Sequence, residues 1–71
     1  MTSISFICDY ALIDPLTLIH KVGNVGVEVF ATCEDIDEDC FCLDVFPVGE
    51  DFSDEDVFKV IDAVGIYLFK D

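Results

Sequence analysis

The chain has 71 residues, which is enough for one small domain with one hydrophobic core. It carries 16 acidic residues against three Lys plus Arg, so the formal net charge is -13, yet 54% of its residues are hydrophobic. Disordered acidic chains are poor in aromatic residues, whereas this chain has seven Phe and two Tyr, so we expect residues 1–71 to fold as a single acidic α+β domain. Direct binding to nucleic acid or to an anionic membrane is not expected, because both need Lys or Arg to replace counterions.

The N-terminal segment predicts no targeting signal. It lacks a basic region and Asp9 interrupts its apolar run, unlike a secretory signal. No uncharged apolar stretch reaches the ~18 residues that a membrane span needs. We therefore expect a cytoplasmic protein whose four cysteines are reduced thiols.

The first half of the chain predicts a strand followed by a helix. Apolar and polar residues alternate over residues 3–12, with Ile4 on the inner face, which is typical of a strand. Asp14 suits a helix N-cap and Pro15 suits the first helical position. A short helix is therefore predicted over residues 15–22.

Two further strands are predicted, over residues 25–31 and over residues 40–48. Between them, the segment CEDIDED over residues 33–39 predicts a long hairpin loop in which five of six consecutive residues are acidic. This loop is the most unusual feature of the sequence.

The last segment predicts a helix that begins after Ser53. Ser53 and Asp56 have the spacing of a capping box, and an apolar stripe at helical spacing continues to Leu68. One long helix is the preferred interpretation. If the helix instead ended at Gly65, residues 66–69 would form a fourth strand and the order would be the ferredoxin-like βαββαβ.

These elements predict the order βαββα, with a three-stranded, mostly antiparallel sheet and one face covered by the long C-terminal helix. The predicted core comprises Ile4, Phe6, Val27, Val29, Leu43, Val45, Val57, Ile61 and Val64.

Calcium binding has a partial motif. Asp35, Asp37 and Asp39 have the spacing of positions 1, 3 and 5 of an EF-hand loop. The match ends there, because Cys40 and Phe46 stand where the loop needs glycine and a bidentate glutamate. Specific calcium binding is therefore not expected.

Zinc binding and catalysis have weaker support. Cys33, Cys40 and Cys42 lack the paired spacing of zinc knuckles, although His20 or Cys8 could supply a fourth ligand. The single histidine stands in no recognisable catalytic motif, and no glycine-rich phosphate loop is present. We expect no cofactor, no metal and no enzymatic activity.

The charge itself is the strongest functional signal. Self-repulsion on this scale weakens a compact state, so we expect the charge to serve a partner. In an extended stretch Asp35, Asp37 and Asp39 would repeat about 6.6 to 6.8 Å apart, and such a row could occupy a Lys- and Arg-lined groove. The predicted surface comprises Glu34, Asp35, Asp37, Glu38 and Asp39 in the hairpin loop, Asp44 on the following strand, and Asp54, Glu55 and Asp56 at the last helix.

The size, the charge and the clusters EDIDED and EDFSDED resemble a functional class, the phage-encoded nucleic-acid mimics that inhibit CRISPR effectors, restriction enzymes or uracil-DNA glycosylase. These proteins share a strategy and not a fold. The resemblance implies an inhibitor, of anti-CRISPR type as first choice, that acts in the cytoplasm of a host cell and occludes a basic nucleic-acid-binding surface.

Two other classes of protein remain as alternatives. An immunity or antitoxin-like module would cover a basic toxin without mimicking nucleic acid. A small dimerising structural domain would use apolar residues such as Phe30 and Phe46, which lie on strand faces opposite the predicted core and could form a homodimer interface.

Overall fold

The computed structural model of the protein describes residues 2–70 and contains three strands and two helices in these residues. The order βαββα and the α+β class are as predicted. The elements are β1 (Ile4–Asp9), α1 (Pro15–Val22), β2 (Val29–Asp35), β3 (Cys40–Pro47) and α2 (Asp54–Val64), and a 3-10 turn (Gly65–Tyr67) follows α2.

The sheet is antiparallel throughout, with β3 in the centre and the strand order β1-β3-β2. Leu43 of β3 lies opposite Phe6 of β1 on one side and Cys33 of β2 on the other. The connection through α1 leaves a gap between β1 and β2, and the β2–β3 hairpin places β3 in that gap. The most apolar strand therefore has a neighbour on both sides.

Both helices cover the same face of the sheet, whereas the sequence predicted cover by the C-terminal helix alone. Leu43 and Val45 of β3 are fully buried on this face. Burial of a large aliphatic side chain contributes roughly 1.5 to 3 kcal/mol, so this layer is the main source of stability. The other fully buried side chains of the core are Cys8, Leu18, Val22, Phe41, Val60 and Val64.

The predicted core is correct except at one position. Five of its members are partly buried and pack against the core, namely Ile4, Phe6, Val27, Val29 and Val57. The prediction that Ile61 belongs to the core is wrong, because the residue is 42% exposed. Val60 and Val64 are one helical turn apart and face the sheet, and Ile61 is rotated about 100° away from Val60 on a helix of 3.6 residues per turn.

The first strand and helix meet at a tight turn. The strand ends at Asp9 and not at residue 12, because the Asp9 carboxylate accepts a hydrogen bond from the Ala11 N–H (2.8 Å). Asp14 is the predicted N-cap of α1 and accepts bonds from the Thr17 N–H (3.1 Å) and hydroxyl (2.6 Å). These bonds hold the pKa of the Asp14 carboxyl below its usual value.

The second strand lies four residues later than predicted. Gly26 has a φ of 86°, a conformation that suits glycine and interrupts an extended strand. Pairing with β3 instead starts at Val29, opposite Pro47, and continues to Asp35. The predicted seven-residue loop is thereby reduced to residues 36–39, and Glu34 and Asp35 belong to β2.

The capping box of α2 is present as predicted, with Ser53 as N-cap. The helix is shorter than expected, since it ends at Val64 and only the 3-10 turn continues it. Leu68 then forms an isolated antiparallel bridge with Cys8, and the Phe69 N–H donates to the Ile7 carbonyl at 2.9 Å. The chain thus lies beside the free edge of β1, where the fourth strand of the ferredoxin-like alternative would be, but it forms one bridge and no strand.

Neither helix in residues 2–70 combines the length and apolar character that crossing a bilayer demands.

Two neighbouring residues of α2 test this packing. We expect Val60→Ala to lower the free energy of unfolding by about 2 kcal/mol, because it leaves a cavity in the core. Ile61→Ala should change it by less than about 1 kcal/mol, since the Ile61 side chain is half exposed. Urea denaturation followed by circular dichroism measures both, and equal losses would contradict the orientation of α2.

Candidate partner-binding surface

Carboxylates gather at the end of the sheet that carries the β2–β3 hairpin. Asp9 pairs with Cys40, and the Tyr10 N–H donates to the Asp39 carbonyl (3.1 Å), so the end of β1 lies against the hairpin. No lysine occurs in the three strands, the hairpin or the β1–α1 connection. We call this region the acidic end; its six carboxylates belong to Asp9, Glu34, Asp35, Asp37, Glu38 and Asp39.

Asp37 folds the hairpin. Its Oδ1 atom accepts hydrogen bonds from the N–H groups of Asp39 (2.7 Å) and Cys40 (3.1 Å) and from the Cys40 thiol (3.5 Å). These bonds to the charged form hold the pKa of the Asp37 carboxyl below its ordinary value. Asp37 therefore acts first as a turn residue, and its carboxylate is directed into the loop.

Asp35 joins the hairpin to the β1–α1 connection. The Tyr10 hydroxyl donates to the Asp35 carboxylate, and the Tyr10 ring packs against Phe41 with centroids 4.8 Å apart. The hydrogen bond to Asp35 is the main cause that raises the pKa of Tyr10 to about 12. The acidic end is thus fixed by both backbone and side-chain contacts.

The predicted row of Asp35, Asp37 and Asp39 is not present, because residues 36–39 form a turn and not an extended stretch. Of the three carboxylates, Asp37 closes that turn, whereas Asp35 accepts the hydrogen bond from the Tyr10 hydroxyl. Glu34, Glu38 and Asp39 are exposed, and their carboxylates make no hydrogen bond or ion pair with other residues in the described part of the chain. These three are the carboxylates most available to a partner.

Asp44 lies on the sheet face that the helices leave open. Its Oδ1 atom accepts hydrogen bonds from the Ser5 hydroxyl (2.5 Å) and the Cys42 thiol (3.7 Å). Glu34 lies opposite Cys42 on the same face, so Glu34 and Asp44 are diagonal neighbours whose spacing is about 7 to 8 Å. Asp44 therefore continues the acidic surface from the hairpin onto the open face.

The second predicted cluster lies beyond the opposite end of β3, a strand about 23 Å long. Asp56 accepts from the Ser53 N–H as part of the capping box, and Glu55 pairs with Lys59 at 3.6 Å. Acidic residues in the first turn also stabilise the positive end of the helix. Asp54, Glu55 and Asp56 are therefore partly structural, and they do not join the acidic end in one surface.

The cysteines do not converge. Cys8 and Cys33 lie on the helix-covered face, whereas Cys40 and Cys42 have the parity of the open face. Across residues 2–70, no group of three or more His, Cys, Asp or Glu residues could hold a metal ion. Burial raises the pKa of Cys8 to about 11 and raises the pKa of the other three thiols as well, so the thiols are protonated at neutral pH.

Sequence reasoning missed Asp9, Tyr10 and Ser5 as contributors to this surface. Asp9 and Tyr10 are distant in sequence from the hairpin, and only the β1–β3 register brings them to it. No local pattern distinguishes Ser5 from other strand residues, and only the same register shows that it lies opposite Asp44. The capping role of Asp14 was evident from Asp-Pro, and the structure confirms it.

Comparison of the chain with protein-family models, with curated proteins and with solved structures gives no match in any of the three. Function is therefore inferred from the charge, the fold and the exposed side chains of this chain.

Two substitutions in the hairpin separate its structural carboxylate from its exposed ones. Asp37→Asn and Asp39→Asn each remove one negative charge, but only the first weakens the bonds that close the turn. We expect Asp37→Asn to have the lower urea midpoint at pH 7. Because the pKa of Asp37 is lowered in the fold, its contribution to stability is fully present above the unfolded value of 3.8. That contribution is lost as the pH falls from 3.8 through the lower folded pKa, so the gap should close in acid. Equal midpoints at pH 7 would contradict the turn-closing role.

Salt should stabilise the free protein. Screening weakens repulsion between exposed charges, and the Debye length falls from about 30 Å at 0.01 M to about 10 Å at 0.1 M salt. We expect the melting temperature to rise as sodium chloride is added, as measured by scanning calorimetry. A melting temperature that falls with salt would show that the carboxylates are already paired.

Proposed function

We propose that the protein is an inhibitor that binds the basic nucleic-acid-binding surface of another protein and occludes it, performing no chemistry. The observation that carries this proposal is the acidic end, where the sheet register brings Asp9 to the strongly acidic β2–β3 hairpin and where the strands, the hairpin and the β1–α1 connection contain no lysine. Such an arrangement costs folding stability through self-repulsion, and a cationic partner would relieve that cost.

The contacts that order the hairpin suit the acidic end to binding a partner. The Asp37 turn and the Tyr10–Asp35 contact fix the hairpin before any partner arrives. A preordered surface avoids the entropy cost of ordering a loop on binding. Exposed carboxylates also accept bidentate hydrogen bonds from arginine in the way that phosphates do.

The acidic groups are spread along the molecule, as the phosphates of a nucleic-acid strand are, and do not form one compact cluster. Glu34, Glu38 and Asp39 lie at one end of the sheet, Asp44 lies near its centre, and Asp54 lies at the start of α2. The length of β3 corresponds to about seven base-pair rises of ~3.4 Å.

A CRISPR effector is the first choice of partner, because its guide and target strands lie in a large positively charged channel. Restriction enzymes and uracil-DNA glycosylase, which also bind DNA, remain alternative partners. An immunity-like module would bind a basic protein away from its nucleic-acid site, and competition with nucleic acid separates the two classes.

Displacement of nucleic acid tests the proposal directly. Labelled duplex DNA is bound to each of a CRISPR effector with its guide RNA, a restriction enzyme and uracil-DNA glycosylase, and fluorescence anisotropy follows its release. We expect the protein to displace DNA from one of them, with an apparent affinity that falls steeply as salt is added. Retention of the DNA by all three at saturating protein would overturn the proposal for these partners.

A pair of triple variants locates the surface. Glu34→Gln, Glu38→Gln and Asp39→Asn together remove three charges that the fold does not use, and we expect them to weaken displacement by roughly tenfold or more. Glu28→Gln, Glu50→Gln and Asp62→Asn remove the same charge from other parts of the molecule. If both triples weaken displacement equally, net charge and not the acidic end is responsible.

A further inference from the structure

The sheet has a second face that neither helix covers. Three of its apolar side chains are well exposed: Phe30 at 62%, Ile7 at 44% and Phe46 at 41%. Carboxylates lie among them, because Asp44 and Glu34 have the same orientation. The face, which we call the open face, comprises Ser5, Ile7, Asp9, Phe30, Thr32, Glu34, Cys40, Cys42, Asp44 and Phe46.

We infer that the open face receives an arginine-bearing segment of the basic partner, with the guanidinium paired to Asp44 and stacked on Phe30 and Phe46. This inference rests on the proposed function and specifies how the partner is recognised.

The strand register creates the required juxtaposition. Phe30 and Phe46 lie directly opposite each other on β2 and β3, and the next row of the same face holds Thr32, Asp44 and Ser5. Asp44 is thus two residues from Phe46, a separation of about 6.6 to 6.8 Å along the strand. A guanidinium can stack on an aromatic ring while its N–H groups donate to a neighbouring carboxylate.

The carboxylate of Asp44 is oriented by hydrogen bonds and still has one oxygen without a hydrogen bond from residues 2–70. Its Oδ1 atom is held by Ser5 and Cys42, whereas its Oδ2 atom accepts no hydrogen bond from the rest of the described chain. The side chain is partly buried between the strands, and an ion pair is less screened there than at a fully exposed position. The oriented carboxylate therefore offers an oxygen towards the open face.

Charge argues against a second copy of this chain as the occupant. None of the three strands carries a lysine, so two open faces would bring Asp44 and Glu34 of each copy together without a countercharge. Exposed phenylalanines alone would favour a homodimer, but the carboxylates among them favour a cation. Arginine fits better than lysine, because its planar group stacks on aromatic rings and donates in a fork.

Binding of two model peptides tests the inference. Oligo-arginine and oligo-lysine of equal length are titrated into the full chain, and amide chemical shifts are followed by NMR. We expect oligo-arginine to bind more tightly and to shift the amides of Phe30, Thr32, Asp44 and Phe46. Oligo-lysine should shift mainly the amides of residues 36–39.

Matched leucine variants identify the aromatic contribution. Phe30→Leu with Phe46→Leu keeps the apolar area but removes the ring faces, and we expect about fivefold weaker binding of oligo-arginine with no preference over oligo-lysine. Phe58→Leu is the control, since Phe58 is 69% exposed on α2, and it should change nothing. Asp44→Asn should also weaken oligo-arginine binding, and Asp62→Asn should do so less.

Three results would overturn the inference: equal affinity for both peptides, shifts confined to residues 36–39, or unchanged affinity in the double leucine variant. Concentration-dependent shifts on the open face without peptide would instead identify a second copy as the occupant. Failure here leaves the DNA displacement by the acidic end intact, whereas absence of displacement refutes the proposed function whatever the peptides do.

Discussion

Repulsion among sixteen carboxylates is the constraint under which this protein folds, and one strand does most to oppose it. Phe41, Leu43 and Val45 of β3 are completely buried beneath both helices. Because β3 lies between β1 and β2 and beneath the helices, its apolar side chains are in contact with the other elements of the core. The domain can therefore carry a charge of -13 and still keep a packed core.

Many of the acidic residues also build the fold. Asp14 caps α1, Asp37 closes the hairpin, Asp35 accepts from Tyr10 and Asp56 completes the capping box of α2. Each of these carboxylates finds backbone or hydroxyl donors in place of a lysine. Some carboxylates of the acidic surface therefore hold the fold, and others are exposed without a partner inside residues 2–70 of the protein. We assign the contact with the partner protein to the exposed carboxylates.

The fold class, both helix N-caps and most of the core follow from local patterns in the sequence, because strand alternation, Asp-Pro and Ser-x-x-Asp each have a direct structural meaning. The position of β2 does not follow, since residues 25–31 alternate as well as residues 29–35 do, and only pairing with β3 selects between them. The end of α2 was missed for a related reason: Gly65 weakens the helix, and the free edge of β1 offers Leu68 and Phe69 backbone partners that no local pattern reveals. The acidic row over Asp35, Asp37 and Asp39 failed because Asp37 has donors within its own turn.

Carbodiimide cross-linking of the native complex shows which carboxylates of the protein contact the partner. The protein is used to capture its partner from host lysate, carboxylates are joined to contacting lysines without a spacer, and the joined peptides are identified by mass spectrometry. We expect links from Glu34, Glu38 or Asp39 to lysines that line the nucleic-acid-binding groove of the partner. Links that arise only from Asp62 and the exposed side of α2, or that reach lysines remote from any such groove, would contradict it.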